Sequence, residues 1–362
     1  MFQQIYKILG PKDFINLKLT GIARTDYSYA AGCGVYNLKA WGYHQPFIQA
    51  GGIEADILPT IVPSTEVLGS LTEDAARSLG LSPHTKVVCG GVDNSCMALG
   101  AKNIKDGRVY TSLGSSAWIA VSSSEPVIDP VAKPYVFAHV IPGMFTSAVS
   151  IFSAGTSFRW VRDNICQDLI AKAQETNQDV YDLMTALAET APVGSNKLLF
   201  NPSLAGGTSQ DHSVNLRGAY VGIDLKHSAP ELIRAAMEGI AMNLRLRMDV
   251  LRSYCELEDE VLLVGGGSKS SLYRQIFADV YNSKILKTNI DQDAGSLGAA
   301  AIAAVGIGLW QDFNKIDQIH KCIEVIEPNI ENNRKYEQLI PIFESASKAL
   351  AQISDSLYEL KI

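Results

Sequence analysis

Apolar and polar positions change rhythm along this chain. Residues 10–21 form a helical run with Pro11 near its opening and Gly21 at its end, and residues 25–32 then turn into a loop. Residues 59–71 read as a connection punctuated by Pro and Gly. The first convincing strand lies at 85–89, so nothing before residue 85 reads as a complete sheet. That strand breaks at Gly90-Gly91, presents Asp93 and Asn94, and gives way to small apolar residues at helical spacing, which predicts strand, loop, helix. From residue 108 closely spaced strands follow at 108–113, 117–122, 135–141 and 145–151, as in antiparallel hairpins. Beyond Gly155, helical segments alternate with strands at 197–201, 218–223, 260–264 and 284–287, and a long helix covers about 229–255. The uncharged stretch 294–310 is dominated by Ala and Gly and is shorter than the ~20 strongly apolar residues of a membrane span, so it reads as a tightly packed interior helix. The change of pattern at residues 100–107 divides the chain into units 1–104 and 105–362. No short-period repeat or low-complexity tract interrupts either.

Composition narrows the class. A chain of 362 residues, 47% hydrophobic and 19% charged, can bury a sizeable core and has the profile of a soluble α/β enzyme. Its formal net charge of -7 argues against nucleic acid, whose binding relies on clustered Lys and Arg. The six cysteines form no C-x-x-C pair and no Cys/His cluster at zinc spacing, and read as reduced, mostly buried thiols. No basic start followed by an apolar core marks a signal peptide, which makes the cytoplasm the default location and a membrane role unexpected.

Four segments carry candidate chemistry. Asp93 sits where a strand hands over to a helix, a place where ligands of open α/β sheets collect, and a carboxylate there suits a general base. Asp93 or Asn94 would equally serve as the cap of the following helix. The turn Gly114-Ser115-Ser116 offers a glycine, two hydroxyls and exposed amides for phosphate oxygens, or is simply a turn. Gly155 opens a helix whose free amides and dipole favour an anion, with Phe158, Trp160 and Val161 as core in the ordinary reading. Gly265-Gly266-Gly267-Ser268-Lys269 follows a buried-type strand and would let a flat or charged ligand approach the backbone. It matches neither the P-loop nor the dinucleotide fingerprint. The six histidines show no His-x-x-x-His pair, and no Gly-x-Ser-x-Gly elbow occurs.

Taken together and in order, Lys12-Asp13-Phe14 through Leu19-Thr20-Gly21, Asp26 to Gly32, Gly90-Gly91-Val92-Asp93-Asn94, and Gly265 to Ser270 with Gln275 to Asp279 resemble the FGGY family of carbohydrate kinases, in its xylulokinase-like branch. The resemblance runs from about Lys7 to about Trp310. It implies an α/β fold of two actin-like, RNase H-like domains with sugar and ATP meeting in the cleft between them. It implies Asp93 as the general base on a sugar hydroxyl, that of a ketopentose such as xylulose, and Asn94 against the sugar. Gly114, Ser115 and Ser116 match the phosphate hairpin, while Gly155, Gly266, Gly267, Ser268 and Ser271 match ATP-side loops. ATP and Mg²⁺ are the implied cofactors, with no metal ligand assigned, and a homodimer is the implied assembly. The family's Asp-x-Gly-Thr phosphate motif does not occur ahead of Asp93, and Met1 aligns inside the first domain. An incomplete first domain, poor turnover by this chain alone, or a silent nucleotide-binding or dimerising fragment are therefore expected. Gly206-Gly207-Thr208-Ser209-Gln210 stands where typical xylulokinases have Gly-Glu-Arg-Thr-Pro, which leaves the sugar open.

Overall fold

The computed structural model describes residues 4–361. Helix α1 (Pro11–Thr20) starts on its proline and stops at Gly21, whose φ of 77° favours a residue without a Cβ. Strand β1 (Arg24–Asp26) runs straight into the short helix α2 (Tyr27–Ala30), because the Asp26 carboxylate accepts the Ser28 amide as an N-cap. The segment expected to be a loop therefore holds a strand end and a helix. After β2 (Tyr36–Asn37), β3 (Gly42–Tyr43) and α3 (Gln45–Ala50), the expected connection at 59–71 contains β4 (Thr60–Val62) and β5 (Val67–Ser70). Strands of three or four residues are too short to show alternation. Helix α4 (Glu73–Leu79), strand β6 (Lys86–Val88) and helix α5 (Asp93–Gly100) complete this part. Among the described residues its strands pair two by two: β1 with β4 in parallel, β2 with β3 and β5 with β6 antiparallel.

The main sheet begins with β7 (Val109–Leu113), β8 (Ala117–Ser123), β9 (Tyr135–Ala138) and β10 (Phe145–Ile151). The chain then passes through α6 (Gly155–Ile165), α7 (Gln167–Thr176), α8 (Val180–Ala188), the hairpin β11 (Leu199–Asn201) and β12 (Ala219–Val221), and the long α9 (Ala229–Arg252). It returns as β13 (Glu260–Val264), α10 (Ser271–Tyr281), β14 (Lys284–Thr288), α11 (Ala294–Gly306), α12 (Lys315–Ile319), β15 (Cys322–Ile326) and α13 (Ile330–Glu359). The strand order is β15-β14-β13-β7-β8-β10-β9, with β7 parallel to β13, β13 parallel to β14, and the other pairs antiparallel.

Alternation along the strands separates two cores. Val109, Leu113, Ile119, Val149, Val261 and Leu263 point to one face and pack against α9 and α10 through Met237, Ile240, Phe277 and Tyr281. Tyr110, Ala120, Ala148, Leu262 and Val264 point to the other, under Ala98 and Ala101 at the end of α5 and Ala294 of α11. Helices α5 and α11 touch through backbone: a Cβ on Gly100 would lie 1.7 Å from the Ala294 carbonyl oxygen, and one on Gly298 would lie 1.9 Å from that of Cys96. The interior helix expected at 294–310 ends at Gly306 and is buried on one face only, with Ala299 and Ala300 exposed. Cys89, Cys96 and Cys166 are buried, but Cys33 and Cys322 are exposed and Cys255 is half-buried, so the thiols are less hidden than expected; all six are free. Among the described residues no helix is long and apolar enough to cross a membrane.

Candidate functional site

A cavity of about 410 Å³ opens where the β7–β8 turn, the start of α6, helix α8 and the glycine-rich loop after β13 converge. Gly114, Ser115, Gly155, Gly266 and Gly267 line it, so five of the sequence-predicted residues, drawn from three separate segments, come together around one space. The glycines do different jobs there. Gly155 lets α6 approach the turn, since a Cβ on it would lie 2.4 Å from the Gly114 carbonyl oxygen. A Cβ on Gly267 would lie 2.2 Å from Leu113 Cδ2, and Gly265 has a φ of 92° against the Leu113 carbonyl. A Cβ on Gly266 would meet nothing within 4 Å. Gly266 is thus the glycine of the loop that leaves backbone open to the cavity rather than to the fold.

The hydrogen bonds revise where an anion would bind. The amides of Ala154, Gly155 and Thr156 are already taken, donating to Ser115 O, Gly114 O and Ser115 O at 3.0–3.1 Å. The start of α6 is therefore stapled to the turn instead of presenting those amides to a ligand. At the tip of the turn, the amides of Ser115 and Ser116 carry no bond to other described residues, which makes them the donors available for phosphate oxygens. Trp160, read as core, is 43% exposed, whereas Phe158 and Val161 are buried as expected.

Ser116, Ser268 and Ser271 stand outside the lining. Ser268 is buried and donates to Asp291 Oδ1 at 3.2 Å; the same oxygen accepts the Gly265 amide at 2.7 Å. Arg274 adds a second support by donating to the carbonyls of Ser268 and Lys269. Ser271 is the first residue of α10, and Ser270 before it caps the helix by accepting the Tyr273 amide.

Asp93 and Asn94 do not line the cavity either. Asp93 is exposed as the first residue of α5, with Val92 rather than Asp93 as the N-cap, and its Oδ1 accepts the Asn94 amide at 2.8 Å. Its charge reaches the sheet that carries the turn. Tyr110 in β7 has its phenol pKa pushed up first by burial and then by the Asp93 carboxylate. The head of α5 and the cavity are joined structurally by α11, which packs on α5 and follows directly from the Asp291 that holds the glycine loop.

Several lining residues carried no sequence signal. Asp179, Tyr181, Asp182 and Thr185 lie at or on α8, whose pattern is that of an ordinary amphipathic helix, and Gln292 lies in the turn before α11. Tyr181 stacks on Phe158 with ring centroids 5.9 Å apart and an interplanar angle of 24°, giving the cavity an aromatic wall. Arg159 and Lys269 also line it and form no salt bridge among the described residues. Their positive charge, the free turn amides and the aromatic wall together suit a ligand with a flat apolar part and an anionic tail.

Comparison with known proteins agrees with this chemistry. Residues 1–100 match the model of the N-terminal domain of the FGGY family of carbohydrate kinases, and residues 109–307 match its C-terminal domain. A xylulose kinase of Lactococcus lactis is 31% identical over 363 residues, covering 99% of this chain and 70% of that protein. The crystal structure of ligand-bound xylulose kinase from Lactobacillus acidophilus superposes with a TM-score of 0.90 at 29% identity, over 98% of this chain and 70% of that one. The gluconate kinase structure from the same organism gives 0.89 at 29% identity, again over 98% and 70%. The α/β architecture is therefore that of the two-domain, actin-like sugar kinases, and the chain spans about 70% of the length of these relatives. This chain belongs to the FGGY family of carbohydrate kinases, which phosphorylate sugars at the expense of ATP.

Proposed function

We propose that this chain transfers the γ-phosphate of ATP to a hydroxyl of a ketopentose such as xylulose, with Asp93 as general base and Asn94 beside the sugar. The observation that carries the reading is the glycine-lined cavity tied through Asp291 and α11 to the helix whose first residue is Asp93. In this reading residues 1–104 form the sugar-side unit and residues 105–362 the ATP-side unit. The adenine ring lies against the Phe158 and Tyr181 wall and over Gly266 and Gly267. The phosphates reach the amides of Ser115 and Ser116 at the turn begun by Gly114. Gly155, Ser268 and Ser271 act one step back, holding the turn and the loop in shape.

The chemistry asks little covalent work of the protein. An Asp93 carboxylate oxygen takes the proton of the attacking sugar hydroxyl, whose oxygen bonds to the γ-phosphorus as the bond to the ADP oxygen breaks. Exposure of Asp93 lets its carboxylate meet a substrate from solvent. Arg159, Lys269 and the turn amides hold the polyphosphate. Mg²⁺ belongs to the same reading. Such an ion binds mainly through phosphate oxygens and water, with one or two carboxylates. Bound to the triphosphate, it would offset the charge that develops during transfer. A cytoplasmic homodimer is also part of the proposal and rests on the family alone.

The pentulose is favoured by the xylulose kinases among the relatives, although gluconokinases are nearly as similar. The test is ADP release with Mg²⁺-ATP across D-xylulose, other ketopentoses, gluconate and glycerol. Strongest stimulation by a ketopentose supports the proposal, and stimulation by gluconate alone overturns its choice of sugar.

A further inference from the structure

Residues 12–28 line no part of the nucleotide cavity, yet they hold the backbone that leads to Asp93. The hub is Asp26, whose side chain is fully buried. Its Oδ2 accepts the Ser28 amide at 3.0 Å, the Ser28 hydroxyl, and the Ser64 hydroxyl at 2.8 Å, while Lys12 Nζ lies 3.2 Å from Oδ1. Each of these partners also grips the turn ahead of α5. Ser28 Oγ, having donated its proton to Asp26, accepts the Val92 amide at 2.9 Å. The Ser64 carbonyl accepts the Gly90 amide at 2.9 Å. Lys12 Nζ donates to the Cys89 carbonyl at 3.1 Å, beside Asn16 Nδ2 at 2.8 Å. Cys89, Gly90 and Val92 are thus fixed by groups gathered around one carboxylate, and Val92 is the N-cap of the helix that Asp93 begins.

We infer that Asp26 is a positioning residue: through Ser28, Ser64 and Lys12 it locks the turn at 89–92 and so sets where the Asp93 carboxylate meets substrate. The inference rests on the reading of Asp93 as base. A buried carboxylate with three hydrogen-bond donors and a counter-ion is a network in which each member is costly to lose, and the Val92 amide has its acceptor only while Ser28 is held in this rotamer. Burial opposes the charge on Lys12, but the carboxylates of Asp26 and Asp13, together with Cys89, outweigh it and keep the ammonium protonated well beyond neutral pH.

The experiment compares the wild-type chain with Ser28→Ala, Ser28→Thr, Asp26→Asn and Asp93→Asn. Hydrogen exchange by mass spectrometry follows peptides covering 88–96 and 109–123, alongside melting temperature and sugar-stimulated ADP release. Ser28→Ala should speed exchange at 88–96 about tenfold or more and leave 109–123 unchanged. It should lower kcat on the order of 10- to 100-fold with KM for ATP unaltered, as expected for a displaced catalytic group. Ser28→Thr, which keeps the hydroxyl, should restore both, and Asp26→Asn should behave like Ser28→Ala. If Asp26→Asn does not fold, the Ser28 pair decides, and if turnover is slow the exchange data decide. Wild-type exchange at 88–96 in Ser28→Ala, or loosened exchange with kcat intact, overturns the inference. Full activity in Asp93→Asn would instead remove the base on which it rests, and loss of activity there with a fully active Ser28→Ala removes the inference alone.

Discussion

Replacing the loop glycines one at a time separates what the fold needs from what the ligand needs. A methyl group on Gly266 meets no atom within 4 Å and faces a cavity of about 410 Å³. Gly266→Ala should therefore leave the fold intact, or stabilise it by about 0.4–1 kcal/mol through the loss of freedom in the unfolded chain. A nucleotide seated on that backbone would be pushed back by roughly the size of a methyl group. Its contacts fall off steeply over such a gap, so ATP affinity should drop about tenfold, or ~1.4 kcal/mol, and further in Gly266→Leu. Gly267→Ala presents the opposite case, because its Cβ would lie 2.2 Å from the buried Leu113 side chain. It should cost about 1–3 kcal/mol of stability by overpacking. Titration calorimetry with ATP, paired with thermal melts of all three variants, reads both quantities. Unchanged ATP binding by Gly266→Leu, in a protein that melts like the wild type, would refute the placement of the nucleotide in this cavity.

Other perturbations follow from the packing and the buried charges. Gly298→Ala drives a methyl toward the Cys96 carbonyl, a backbone atom that cannot rotate away, and should cost about 1–3 kcal/mol in a denaturant melt. By shifting α5 it should also lower sugar phosphorylation more than ATP binding. Glu238 is buried in α9 and joins Arg234, Tyr336, Ser195 and the Gly194 amide. Glu238→Ala strands Arg234 without its carboxylate and should destabilise by about 3–5 kcal/mol, seen as a lower denaturation midpoint. His139 is buried and its pKa is lowered from 6.5 to about 4 by desolvation, so the neutral ring contributes stability above pH ~6.5 that is lost as pH falls toward 4. Denaturation midpoints should fall across that window, and less so in His139→Gln.

Much of the architecture shows in the pattern of apolar residues, and the exceptions have physical causes. The strands of the main sheet are five to seven residues long where they matter most, and β7, β8, β10, β13 and β14 lie within a residue of the expected positions. Strands β1, β4 and β5 escaped notice because three or four residues between prolines and glycines cannot display a period. The glycines of the cavity were legible as glycines, but not their separate duties. Only the three-dimensional neighbours show that Gly155 and Gly267 serve close packing and that Gly266 faces open space. Asp179, Tyr181, Asp182 and Thr185 were illegible because a cavity-lining face on α8 looks like any other amphipathic helix until the turn and loop it faces are in place. The Asp26 hub was visible only as a motif of the resemblance. The link from Asp26 to Ser64 spans 38 residues and the one from Ser28 to Val92 spans 64, beyond the reach of any local pattern.

The most direct measurement follows the γ-phosphate itself: single-turnover transfer of labelled phosphate from ATP to D-xylulose, in the wild-type chain and in Asp93→Asn. The assay detects transfer even where turnover is slow. Label should appear on the sugar with the wild-type chain and do so about 10²- to 10⁴-fold more slowly in Asp93→Asn, the usual contribution of a general base. Transfer at equal rates in the two proteins would contradict the account.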